Sequence, residues 1–204
     1  MDFSHQTQPL ASLSRLSTEA LLLVLCADPG SVGLDEAMGD LVSAALHDGD
    51  FEVKAGRTLY VHRPAGLAAR RVVVVAAADA SPKSFRSAVA AGLRVLKPLG
   101  AKVVHIARAA GTGDGALQAG HAQAAVLALA DATYVYRHTK PSAAPAPALT
   151  RGVLCCEEGE AAVAKSGVAT GLALAAGIEL ARECANRPGT VSYTHLRAHE
   201  TKAN

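Results

Sequence analysis

Four valines in succession, Val72 to Val75, set the tightest limit on how this chain folds. A β-branched run that is apolar at every position has no polar face to give to water. It therefore predicts a strand buried on both sides, in the middle of a sheet covered by helices. Thr18 to Ala27, centred on the apolar run Leu21 to Ala27, predicts a second buried strand, ended by Asp28-Pro29-Gly30.

Between and after these runs the period changes. Leu34, Met38, Leu41, Val42, Ala45 and Leu46 recur at helical spacing, which predicts a helix over Leu34 to Leu46, stopped by His47-Asp48-Gly49-Asp50. Thr58 to His62 and Arg71 to Ala78 read as strands, with Pro64-Ala65-Gly66 between them. Ser81-Pro82 opens a helix that runs to about Leu96, and Gly100 punctuates the passage to a strand over Lys102 to Ala107. A glycine-rich turn, Gly111 to Gly115, leads into a helix over Ala116 to Ala130. Pro141 to Pro147 has linker composition, Thr150 to Cys156 reads as a strand, and Glu160 to Ala185 reads as a long helix. On that helix Gly167, Gly171 and Gly177 are spaced to allow close backbone packing. Strands alternating with helices predict an α/β domain with a mixed, largely parallel sheet flanked by helices. Residues 1–17 are polar and read as a flexible or edge-pairing arm.

Half of the residues are hydrophobic but only 3% are aromatic, so the core is expected to be Ala, Val and Leu, with few rings for stacking a base. A formal charge of +2 gives no field for steering nucleic acid or anionic lipid. Cys26, Cys155, Cys156 and Cys184 include no C-x-x-C spacing, which spells neither a zinc knuckle nor a disulfide framework and suits a reducing cytoplasm. Glu19 precedes the first apolar run, and Leu25 stands before Cys26 where a processed leader wants a small residue. Lys165 and Glu179 interrupt the longest Ala-rich segment, so no membrane span is expected.

Few residue groups suggest chemistry. Gly111-Thr112-Gly113-Asp114-Gly115, between a strand and a helix, resembles a phosphate-cradling turn, but Ala116 stands where the third glycine of G-x-G-x-x-G belongs. Asp114 is better read as an N-cap for the helix behind it. His195 and His199, with Glu200 beside them, would share a helix face as zinc ligands do, yet H-E-x-x-H is absent and no third ligand follows. His47, His62, His105, His121 and His138 are scattered and read as surface or core residues. No G-x-S-x-G occurs, and no cysteine has a recognisable nucleophile context. No catalytic, cofactor-binding or metal-binding residue is assigned.

An ordered series carries a resemblance. Asp48-Gly49-Asp50-Phe51, Lys54 to Leu59 and Gly66 to Val75 are followed by Ser84-Phe85-Arg86, Tyr134-Val135-Tyr136-Arg137 with Lys140, and Ala181 to Gly189. Together they resemble the amino-terminal domain of the leucyl aminopeptidase (cytosol aminopeptidase) family over roughly Thr18 to Thr190. The resemblance implies an α/β sandwich similar to macro domains over residues 18–157. It also implies a connecting helix over 158–190, leading towards a catalytic domain. For a full-length parent it implies a cytoplasmic homohexamer that removes amino-terminal residues from peptides with two divalent metal ions, Mn or Zn. The family's metal ligands and catalytic Lys and Arg lie in motifs such as N-T-D-A-E-G-R, which this sequence does not contain. The chain is therefore expected to lack the active site, and peptide substrate would be reached only through the other domain. Residues 191–204 depart from the pattern and read as a non-native tail. Two alternatives stand beside this reading: a macro-like module holding a nucleotide or ADP-ribose-like ligand at Gly111 to Gly115, or a domain that touches DNA, by family analogy.

Overall fold

The computed structural model describes residues 2–111, 115–140 and 142–187. Six strands form one sheet: β1 (Asp2–Thr7), β2 (Ala20–Leu25), β3 (Thr58–His62), β4 (Arg71–Ala76), β5 (Val103–Ala109) and β6 (Arg151–Cys156). Their order is β1-β6-β5-β2-β4-β3, with every neighbouring pair parallel except β3 on β4. The sheet is mixed and mostly parallel, as the alternating pattern predicts.

The two strands with unbroken apolar runs lie side by side, with Leu22 opposite Val73 and Val24 opposite Val75. On both strands, successive residues enter different layers. Leu22, Val24, Val73 and Val75 face one core; Leu21, Leu23, Val72 and Val74 face the other. Each fully buried Leu or Val contributes about 1.5–3 kcal/mol. A strand apolar at every position is thus stabilised from both sides only where helices cover both faces.

Four α-helices do the covering: α1 (Glu36–His47), α2 (Pro82–Leu96), α3 (Ala119–Thr133) and α4 (Ala161–Asn186). Buried residues of α2, α3 and α4 share one cluster, and those of α1 share the other with Leu13 and Leu16. At the start of α1, Asp35 accepts from the Met38 N–H (3.0 Å) and from the Ser14 N–H (2.6 Å), which caps the helix and ties it to the preceding segment. Helix α2 starts at the predicted Ser81-Pro82, where Ser81 Oγ accepts from the Ser84 N–H. Gly100, at φ 68°, makes the left-handed turn after α2 that a side chain would strain.

The structure corrects some boundaries. Helix α3 starts at Ala119, not Ala116, and its N-cap is Gln118 rather than Asp114, which lies outside the described residues. The strand expected to reach Ala78 ends at Ala76. Asp2–Thr7 forms the parallel edge strand beside β6, with Phe3 buried. The three glycines of α4 are alike in sequence spacing, but the structure divides them. Gly167 and Gly171 press on α3, with Gly171 against Val126 and Gln123, whereas a side chain at Gly177 would meet nothing within 4 Å. Residues 191–204, including His195, His199 and Glu200, lie outside the described residues.

Candidate functional site

Three places could serve a function. At the carboxyl ends of β5 and β6, beside the Gly111 to Gly115 turn, a cleft of about 130 Å³ is lined by Arg108, Gly115, Cys155, Cys156, Glu157 and Glu160. Thr112, Gly113 and Asp114 of that turn lie outside the described residues. Glu157 accepts from the Leu10 N–H (2.8 Å), while Glu160 accepts from the N–H groups of Leu117 (2.7 Å) and Glu157 (2.9 Å). Two carboxylates committed to backbone donors hold the cleft's segments together and would repel a phosphate. The volume is also below the roughly 300 Å³ at which small-molecule sites begin. Cys155 and Cys156 are neighbours on a strand, so one thiol enters each core layer. Burial pushes the Cys155 thiol up to about 12, far from a reactive thiolate.

Next come two buried imidazoles, which lie apart on different sides of the sheet. His121 Nδ1 accepts from the Gln118 N–H (3.0 Å), which leaves Nε2 to donate to the Ala80 carbonyl (2.7 Å). Those partners fix the neutral tautomer, and the ring meets Phe85 edge-on at 5.6 Å. His121 therefore ties the start of α3 to the segment before α2. His105 lies within hydrogen-bonding distance (2.8 Å) of Thr18 Oγ1, at the rim of a cleft shared with Glu19 and Arg70. Burial lowers the pKa of both imidazoles; nearby Arg151 adds to the shift at His105, while the bond to Ala80 opposes it at His121. Between their folded values and the unfolded value near 6.5 the unfolded chain binds more protons. Their contribution to stability is thus complete above pH 6.5 and is lost as the pH falls through the folded values. Urea midpoints are expected to fall between pH 7.5 and pH 5.5. His121→Gln, although less stable throughout, should flatten that slope. A slope unchanged in the variant would show that His121 does not titrate in this window.

The third place is formed by the outer half of α4. The inner half is buried at Ala164, Gly167, Val168 and Gly171; from residue 172 to 186 no residue is buried. Leu172, Leu174, Ile178 and Leu180 are exposed, Leu180 at 66%. Between this half-helix, the end of α3 and the segment 146–150 runs a groove of about 820 Å³. Its floor includes Leu127, Leu149, Leu172 and Ile178, and its rim carries Asp131, Tyr134, Arg137 and Arg182. Asp131 accepts from Arg86 of α2 (2.6 Å) and from Arg182 of α4 (2.7 Å). Burial raises the Asp131 pKa, but the two guanidiniums outweigh it and hold the carboxyl below its ordinary range. Arg182 also lies over the Tyr134 ring at 5.3 Å, and the Tyr134 hydroxyl donates to Glu183 (3.1 Å) while accepting from Asn186 (3.3 Å).

Two motifs that sequence analysis singled out separately, Tyr134 to Arg137 and Ala181 to Asn186, thus meet here, whereas Asp131 and Arg86 gave no signal as a pair. By length and a mean hydropathy of 1.5 over its best window α4 is long and apolar enough to cross a membrane, although Lys165 and Glu179 interrupt it. Ala, Val, Leu and Ile supply that hydropathy, while the small residues of the inner half pack on α3. Among the described residues no three His, Cys, Asp or Glu side chains gather as a metal-ligand set.

The profile described as the cytosol aminopeptidase family, N-terminal domain, matches residues 25–142. A probable cytosol aminopeptidase of Methylibium petroleiphilum is 53% identical over 93% of this chain and 38% of its own length. Another, from a Polaromonas species, is 39% identical over 92% of this chain and 36% of its own length. The chain therefore spans little more than a third of the relatives that it matches. Among solved structures, a mutant tomato leucine aminopeptidase superposes with a TM-score of 0.66 at 18% identity, over 94% of this chain and 39% of that one. The bottromycin maturation enzyme BotP in complex with Mn gives 0.58 at 21% identity, over 85% and 33%. At these identities the superpositions show a shared fold.

Proposed function

Because this chain belongs to the cytosol aminopeptidase family, as that family's amino-terminal domain, we propose that it is the non-catalytic domain of a two-metal exopeptidase removing amino-terminal residues from peptides. Its parts are the sheet domain of residues 18–157 with its amino-terminal arm (residues 1–17), a connecting segment over 158–190 that contains α4, and residues 191–204, which we read from sequence as a non-native tail. The observation that carries this reading is the unburied outer half of α4. A helix of 26 residues, roughly 39 Å long, has buried residues only in its first half and presents Leu174, Ile178 and Leu180 beyond it. Apolar side chains arrayed in this way suit a helix that passes between two bodies.

The metal ions of such an enzyme, Mn or Zn, do not fit the described side chains, and no step of hydrolysis is derived from them. The parent is proposed to work in the cytoplasm as a homohexamer, with peptide bound by the catalytic domain.

The test is direct. The purified chain, supplied with Mn or Zn, is expected to release no product from a leucine anilide above the metal-only blank. A gene product carrying the metal-ligand motifs should turn it over. Metal-dependent turnover by the chain alone would overturn the assignment.

A further inference from the structure

The outer half of α4 keeps its direction although no residue in it is buried. Past Gly171 only three residues of the described helix are even half-buried: Ala175, Arg182 and Glu183. Two of those three are the polar ones that reach back to the body. Arg182 goes to Asp131 at 2.7 Å and lies over Tyr134, and Glu183 accepts from the Tyr134 hydroxyl at 3.1 Å. Asp131 is held in turn by Arg86 of α2 at 2.6 Å, so α2, α3 and α4 meet at one carboxylate. Beneath the same stretch lies the 820 Å³ groove, where close helix packing would otherwise be.

We infer that Asp131 and Tyr134 form a polar clamp that aims the outer half of α4, holding it along the groove beyond Ala175, the last of its apolar residues to pack against the core. Ion pairs with side chains 35–43% exposed are weak individually and exchange with water, so the clamp sets a direction without freezing it. The helix is then a beam fixed at Gly167 and Gly171 and guyed near its far end. The sense of this arrangement, a tunable angle between two domains, rests on the function proposed above. The clamp itself does not, and the two fail separately.

Asp131 and Tyr134 are positioning residues, and the readout is local. Amide exchange is followed by mass spectrometry on the whole chain and on Asp131→Ala. Exchange in residues 176–186 is expected to quicken by about two- to five-fold in the variant, the range that a weak, partly exposed ion pair supports. Residues 161–171 should keep their protection. Should Asp131→Ala not fold, Tyr134→Phe removes only the hydroxyl and should give the same localised change at smaller amplitude. Unchanged exchange in 176–186, or a rise spread evenly over both halves of α4, would overturn the clamp. A localised rise would uphold it even if the aminopeptidase assay contradicted the proposed function.

Discussion

Phe85→Ala is expected to lower the melting temperature of this chain by about 6–20 °C, corresponding to about 3–5 kcal/mol of stability. Phe85 is wholly buried among the side chains that face α2, α3 and α4, in a chain that has only three phenylalanines. The cluster around it is mostly Val, Leu and Ala, and the ring that meets it, His121, is tied by its bonds to Gln118 and Ala80 and does not swing into the space. The cavity would stay open, and its lining would lose dispersion contacts. His121 would also lose the ring edge that packs against it, which loosens the imidazole bridging Gln118 and Ala80. Differential scanning calorimetry reads the effect; a loss of less than about 1 kcal/mol would mean that α2 collapses into the gap.

Gly167→Val is expected to cost about 2–4 kcal/mol, through overpacking rather than a cavity. A Cβ at this position would overlap the Ala119 carbonyl oxygen and stand 2.7 Å from Ala122 Cβ. The first obstacle is backbone, so relief requires α4 to move away from α3 as a body. Gly177→Ala is the matched control on the same helix, since its Cβ would meet nothing within 4 Å. There the better helix propensity of alanine should add about 0.5–1 kcal/mol. Opposite signs in urea denaturation would confirm that α4 is tightly seated at one end and free at the other. Equal destabilisation would mean that the outer half is packed as closely as the inner.

The same pair shows what one-dimensional spacing conveys. Gly167, Gly171 and Gly177 look alike in sequence, because period alone does not say where a partner helix stops. The leucine and valine runs were legible because an apolar residue at every position admits few environments. Ser81-Pro82 located the start of α2 because a cap and a fixed φ act locally. The start of α3 was misplaced for the complementary reason: its anchor is His121 reaching across to Ala80, a contact visible only in three dimensions. Asp131 was silent in the sequence for a similar reason. A carboxylate acquires its role from the two arginines that converge on it, and these lie 45 and 51 residues away along the chain. Tyr134 to Arg137 and Ala181 to Asn186, by contrast, were visible as family motifs before anything showed that they touch.

Strand β1 pairs with β6, so the first strand of the sheet takes its only partner from the last. On a ribosome adding about 5–20 residues per second, Asp2–Thr7 would emerge on the order of ten seconds before Arg151–Cys156 exists to receive it. During that interval β2, β4 and β5 already have one another, while Phe3 has no core to enter. The unpaired β1 segment is thus open to a chaperone or a protease throughout that interval, and the sheet is closed at that edge only when synthesis has nearly reached α4.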